Sequence, residues 1–236
     1  MRLSSALARM HPPIDDPQAA LEELRVTVDG AIATNPNSMV RRDACIVVRP
    51  RREPKGVQKL GHALDALGLD VEGSVAVDLG ACTGGFTVAL LDRRATQVFA
   101  VDIGFGQLLG SLQQDPRVVN LERTNVAQVT PELLGGTRPD LIVADVTRLS
   151  LRDLGAQVVA NGLPKPGTSL VGLVKPMFEL GVGELPEGEQ LDEALALAVA
   201  GLAASGWKIL GTMRSEVVGG RGAIEFFVHA RWPETT

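Results

Sequence analysis

One stretch limits what this chain can fold into more than any other: Ser74 to Thr87, read as Ser-Val-Ala-Val-Asp-Leu-Gly-Ala-Cys-Thr-Gly-Gly-Phe-Thr. Val75, Ala76, Val77 and Leu79 form the short apolar run that a parallel strand buried on both faces requires, with Asp78 the one charge inside it. Gly80, Gly84 and Gly85 follow at once, so the backbone can turn with no side chain between it and a ligand. A buried strand running straight into such a turn predicts an α/β domain with a ligand lying over the turn.

The spacing Asp78, Gly80, Gly84 is not the Gly-x-Gly-x-x-Gly that seats a dinucleotide pyrophosphate on a helix N-terminus. A second apolar run, Val98 to Val101, ends in Asp102, and a carboxylate after the second strand of such a unit can accept both hydroxyls of a ribose. Together these features resemble the S-adenosylmethionine pocket of Rossmann-like methyltransferases. The bland alternative is a tight strand-to-helix turn with no ligand.

Further strand signals follow at Arg117–Leu121, Asp140–Ala144, Ser169–Val174, Trp207–Leu210 and Ala223–Ala230, with helical patterns between most of them. This alternation predicts a mostly parallel sheet covered by helices on both faces, its last strand antiparallel as in methyltransferase sheets. The length of 236 residues and 45% apolar content suit one such domain plus a smaller module. No run approaches the ~20 apolar residues of a membrane helix; the most apolar helical pattern, near Leu191 to Ala204, carries Asp192 and Glu193. The N-terminus lacks the apolar core and cleavage site of a signal peptide. Cys45 and Cys82 make neither a disulfide framework nor a metal cluster, and His11, His62 and His229 have no ligand spacing, so no metal is expected and reducing cytoplasm is the expected compartment.

Residues 1–53 read as a small α+β module, with a helix near Pro17 to Leu24, a hairpin from Leu24 to Ala33 turning at Asp29-Gly30, and a strand at Ala44–Val48. The order resembles a worn copy of the small RNA-binding fold of a ribosomal small-subunit protein and of pseudouridine synthases; an oligomerising or capping module is the rival. Charge is uneven: residues 1–60 carry +3 and residues 61–236 carry −8 of the net −5. Arg41, Arg42, Arg49, Arg51, Arg52 and Lys55 form a basic strip that suits a phosphate backbone, with a solvated linker as the alternative. After Pro50–Pro54, Lys59 is expected to open a helix with Leu60, Leu64 and Leu67 on one face and Gly68 as its stop, so that 54–59 serves as linker to a domain spanning 54–236.

Ligands of open α/β sheets sit past the carboxyl ends of the strands. Asp145 and Lys175 each fall at such an end, and Glu225 falls at the start of the last strand, on the same rim if that strand is antiparallel. From Lys59 onward the chain resembles the TlyA family, often labelled hemolysins, among the FtsJ-like ribose 2′-O-methyltransferases. The ordered blocks are Leu79–Thr87, Val101–Leu108, Asp115–Val118, Leu121–Asn125, Leu173–Glu179 and Ile224–Phe226. The resemblance implies a catalytic set of Lys59, Asp145, Lys175 and Glu225. Methyl transfer to an alcohol needs removal of the hydroxyl proton, which a neutral Lys175 can take. Lys59 would favour that neutral form by like-charge repulsion, and the two carboxylates would orient the amines. The resemblance also implies that S-adenosylmethionine, leaving as S-adenosylhomocysteine, lies on Asp78, Gly80, Ala81, Cys82, Thr83, Gly84, Gly85 and Phe86, with Asp102 at the ribose and Ile103, Asn125, Val126 and Asp145 near by. The implied acceptor is a ribose of ribosomal RNA.

Three departures from the family pattern fall on the acceptor side: Pro54-Lys-Gly-Val-Gln58 before Lys59, Arg148 in place of an aromatic, and a short loop Leu180–Glu189 with three acids and no base. They leave open an O-methyltransferase of a small hydroxylated metabolite. A membrane-acting hemolysin or a non-catalytic RNA-binding protein is disfavoured, the first by the lack of a membrane-length segment and the second by the complete catalytic set.

Overall fold

The computed structural model describes residues 1–10, 14, 16–22, 25–49 and 54–234, Ala19 and Glu22 through their backbone alone. The chain divides into two compact units, Met1–Glu53 with Leu109–Gln114, and Pro54–Leu108 with Asp115–Thr236.

The smaller unit holds helices α1 (Leu3–Leu7) and α2 (Pro17–Glu22) and strands β1 (Val26–Val28), β2 (Ala31–Ile32) and β3 (Ile46–Val48), in sheet order β2-β1-β3, all antiparallel. Asp29 (φ 49°) and Gly30 (φ 84°) form the expected hairpin turn, both left-handed as a two-residue turn between twisted strands requires. The Asp29 carboxylate accepts the Cys45 N–H at 2.9 Å and pairs with Arg41 at 3.2 Å, which joins β3 to the turn and holds its pKa below the usual carboxylate range. Leu3, Leu7, Ala20, Leu21, Val26 and Val40 make the unit's core. The Pro50–Glu53 connection, Leu24 and His11 lie outside the described residues.

The larger unit runs α3 (Lys55–Ala66), β4 (Val75–Leu79), α4 (Gly85–Asp92) and β5 (Gln97–Val101). After α5 (Gly110–Gln113), which groups with the smaller unit, come β6 (Val118–Leu121), β7 (Leu141–Ala144), α6 (Leu151–Ala160), β8 (Ser169–Val174), α7 (Pro176–Leu180), α8 (Glu189–Ala204), β9 (Lys208–Arg214) and β10 (Phe226–Arg231). The sheet order is β6-β5-β4-β7-β8-β10-β9, with β10 antiparallel to both its neighbours and the other pairs parallel. This is the expected Rossmann-like sheet. Among the described residues no helix is long and apolar enough to cross a membrane.

Strand order reverses between β4 and β7, and a crevice opens where the chain leaves such a pair in opposite directions. Leu79 is level with Ala144, so Gly80 and Asp145 leave neighbouring strands side by side. Across β8, Phe226 is level with Val174, which brings Glu225 level with Lys175.

Most strand starts lie within two residues of expectation, and two element starts differ by more. Helix α3 opens at Lys55 rather than Lys59, because Val57 lies one turn before Leu60 on the same buried face; Lys59 therefore sits in the second turn, only 7% exposed. The final strand begins at Phe226 rather than Ala223, because Gly220–Gly222 form a 3-10 turn with Arg221 in the left-handed region.

Candidate active site

The turn after β4 is built from backbone. Gly80 (φ 87°) and Gly84 (φ 94°) take conformations that disfavour side chains, and a Cβ on Gly80 would strike the Asp145 carbonyl. Cys82 is left-handed too (φ 50°), and its N–H donates to Asp102 Oδ2 at 2.8 Å, while the Gly104 N–H donates to Oδ1 at 2.6 Å. Asp102 thus joins the β4 turn to its own loop. Each oxygen retains acceptor capacity, since a carboxylate offers about four lone-pair sites. Ile103, 72% exposed, stands next to it.

Asp78 lies beneath this turn, fully buried, accepting the Thr87 hydroxyl at 2.7 Å; its other oxygen has no partner among the described residues. Burial pushes its carboxyl up to about 7, against the Thr87 bond and with repulsion from Asp145 and Asp102. A raised carboxyl pKa means that the folded state keeps a proton which the unfolded chain has lost, so the contribution is full below about pH 4 and lost as pH rises through about 7. Asp78→Asn, which keeps the Thr87 bond, is therefore expected to gain stability on the parent protein between pH 5 and pH 8, by a few kcal/mol at about 1.4 kcal/mol per pKa unit. Denaturant midpoints of both proteins at the two pH values check this; a constant difference would contradict it.

The four residues of the expected catalytic set form two ion pairs. Lys175 Nζ lies 2.5 Å from Asp145 Oδ1, across the adjacent ends of β8 and β7. Lys59 Nζ lies 2.5 Å from Glu225 Oε2, both side chains nearly inaccessible at 8% and 6%. The segment before β10 folds over this second pair, with the Cα of Gly219 so close to Glu225 that a Cβ there would meet its carboxylate. A cleft of about 230 Å³ lies beside both, lined by Lys175, Glu225, Met177, Phe178, Ile224 and Arg221 among others.

The remaining expected residues divide. Ala81 and Phe86 are buried, the Phe86 ring packing on Phe227 with centroids 6.1 Å apart, so Phe86 can offer a ligand little beyond its backbone; Cys82 and Thr83 are exposed. The Asn125 side chain caps the 3-10 turn Val126–Gln128 by accepting the Ala127 N–H, and the Val126 carbonyl accepts from Asn161. Arg41, Arg42, Arg49 and Lys55 are exposed, whereas Arg51 and Arg52 lie outside the described residues.

Three supports were not foreseen from sequence. Thr87 holds Asp78; its position nine residues on, one helical turn past the glycines, was the available signal. Gly56 and Gly85 touch backbone to backbone, a Cβ on Gly85 falling 2.9 Å from the Gly56 Cα, so α3 rests directly on the start of α4. Glu179 of α7 accepts the N–H of Leu151 at the start of α6.

The FtsJ-like methyltransferase family pattern matches residues 53–232. The chain is 41% identical over 217 residues to the 16S/23S rRNA (cytidine-2'-O)-methyltransferase TlyA of Mycobacterium tuberculosis, which covers 88% of this chain and 80% of that one. It is 32% identical over 178 residues to Hemolysin A of Brachyspira hyodysenteriae, covering 73% of each. A hemolysin-named structure from Streptococcus thermophilus superposes with a TM-score of 0.73 at 26% identity, covering 100% of this chain and 89% of that one.

Proposed function

This chain belongs to the FtsJ-like methyltransferase family, and from that premise we propose that it methylates a ribose 2′-hydroxyl of ribosomal RNA in the cytoplasm, with S-adenosylmethionine as donor. One observation carries the reading: two lysine–carboxylate pairs border one cleft, on the same rim as a turn that opens and closes on glycine.

The residues fit the donor. The Gly80–Gly84 bend offers a cradle that a Cβ on Gly80 would fill, Asp102 is held with acceptor sites to spare for ribose hydroxyls, and buried Asp78 keeps one oxygen without a partner among the described residues. The donor supplies an electrophilic methyl group on a sulfonium. The protein's own part is positioning and proton removal. Lys175, once it has lost its own proton, accepts the proton of the acceptor hydroxyl at Nζ, and Asp145 Oδ1, 2.5 Å from that nitrogen, holds it in place. Glu225 holds Lys59 in the same way, with water excluded by the segment folded over them. Met177, Phe178 and Ile224 give the cleft apolar faces for a base, and Arg221 gives it a cation for a phosphate. RNA docks on Arg41, Arg42, Arg49, Arg51 and Arg52 of the small unit and on Lys55 at the start of α3.

A second reading is favoured by the acidic loop bearing Glu184, Glu187 and Glu189: an uncharged, hydroxylated small molecule as acceptor. Incubation with methyl-labelled donor and purified ribosomal subunits tests the first reading. Label in RNA, with affinity falling steeply as salt rises, is expected; label appearing only in a small-metabolite fraction would replace it with the second.

A further inference from the structure

Glu179 has no part in the chemistry above, yet its placement is costly. It is 2% exposed; one oxygen accepts the Leu151 N–H and the other has no partner among the described residues. Burial pushes its carboxyl up, although the N–H groups of Leu151 and Arg152 and the Arg152 guanidinium pull it down. Ser150 Oγ, the side-chain cap of α6, accepts a different donor, the Asp153 N–H at 3.2 Å, so Glu179 takes first-turn N–H groups that the cap leaves over.

What the bond does is grip Leu151 a second time. The Leu151 side chain packs on the bare Cα of Gly172 in β8, where a Cβ would collide with it. Leu151 is therefore held through its side chain by a residue three before Lys175, and through its backbone by a residue four after it. The segment between Asp145 and Leu151 includes Arg148 at φ 66°, a backbone conformation that persists only when its surroundings enforce it.

We infer that Glu179 is a positioning residue: by clamping Leu151 to α7 it fixes the 145–150 segment, and with it the approach of Asp145 to Lys175. The inference rests on the reading of Lys175 as base, and the labelled-methyl assay of the unaltered protein tests that reading by itself. Three variants then test the clamp. Glu179→Met keeps the buried volume and removes the acceptor, Glu179→Gln keeps an acceptor oxygen, and Ser150→Ala removes the side-chain cap of the same helix while sparing the clamp.

Glu179→Met is expected to lower kcat about tenfold to a hundredfold, with KM for the donor within about twofold, as misplacement of a catalytic pair does. Glu179→Gln should stay within about threefold of the parent, and Ser150→Ala should lose thermal stability with kcat held to the same margin. In the free protein, amide exchange of residues 145–150 should quicken in Glu179→Met, the Asp145 N–H bond to the Leu79 carbonyl serving as reporter. Equal kcat in Glu179→Met and Ser150→Ala overturns the inference, as does unchanged exchange. A Glu179→Gln variant as impaired as Glu179→Met also overturns it, since the charge itself would then be needed. Glu179→Asp, which withdraws the carboxylate by one methylene, takes the place of the Met variant in each comparison if that protein does not fold.

Discussion

Lys175→Ala is expected to lower methyl transfer by roughly a hundredfold to ten-thousandfold, the usual loss when a positioned proton acceptor is removed, while the dissociation constant for S-adenosylmethionine changes by no more than about threefold. The asymmetry follows from where the side chain stands. Lys175 follows β8 and meets Asp145, whereas the donor turn runs from Gly80 to Gly84 and is tied to Asp102 through the Cys82 N–H. Loss of the amine leaves the turn intact. Asp145 then loses its cation; its Oδ1 is buried although the side chain is 26% exposed, and removal of the lysine side chain opens that oxygen to water, so folding should suffer less than at the Lys59–Glu225 pair. Calorimetry with the donor and a labelled-methyl assay on the same preparation measure the two quantities. Retained turnover would remove Lys175 from the chemistry, and a matching loss of donor affinity would make it a binding residue.

The second large effect concerns stability. Glu225→Ala strands a lysine that is 7% exposed, and breaking a buried pair from one side typically costs about 3–5 kcal/mol. Against a total of roughly 5–15 kcal/mol that is a severe loss, visible as a fall in Tm of about 6–20 °C for a domain of this size. The double variant Lys59→Met with Glu225→Leu removes both charges and keeps the volume, so most of the stability should return, because well-packed apolar replacements of buried pairs are often neutral. Methyl transfer should not return with it. Thermal denaturation of the two proteins decides the matter. If Glu225→Ala melts with the parent, the Lys59 amine is better solvated than its 7% exposure implies.

The sheet was legible in the sequence because its strands are short apolar runs closed by glycine or by a charge, and such runs have few other uses. Asp145 and Lys175 could be assigned to one rim on the same grounds, since each is the first charge after its strand. Which lysine meets which carboxylate could not be read. Lys59 and Glu225 are separated by 166 residues, and no local pattern expresses a partner at that distance. The start of α3 lies four residues earlier than the Pro50–Pro54 connection suggested, and the part Gly56 plays is visible only when Gly85 is seen against it. Glu179 reads as an ordinary solvent-facing acid of a short helix, and only the packing reveals that it points inward.

The bare contact of Gly56 with Gly85 sets limits on how this protein can be re-engineered. Gly56 lies three residues before Lys59, and Gly85 closes the donor bend, so a methyl group at either glycine would push the helix carrying the first lysine away from the cofactor pocket. A library aimed at new acceptors would do well to freeze those two positions and randomise Met177, Phe178, Leu185, Arg221 and Ile224, whose side chains line the cleft.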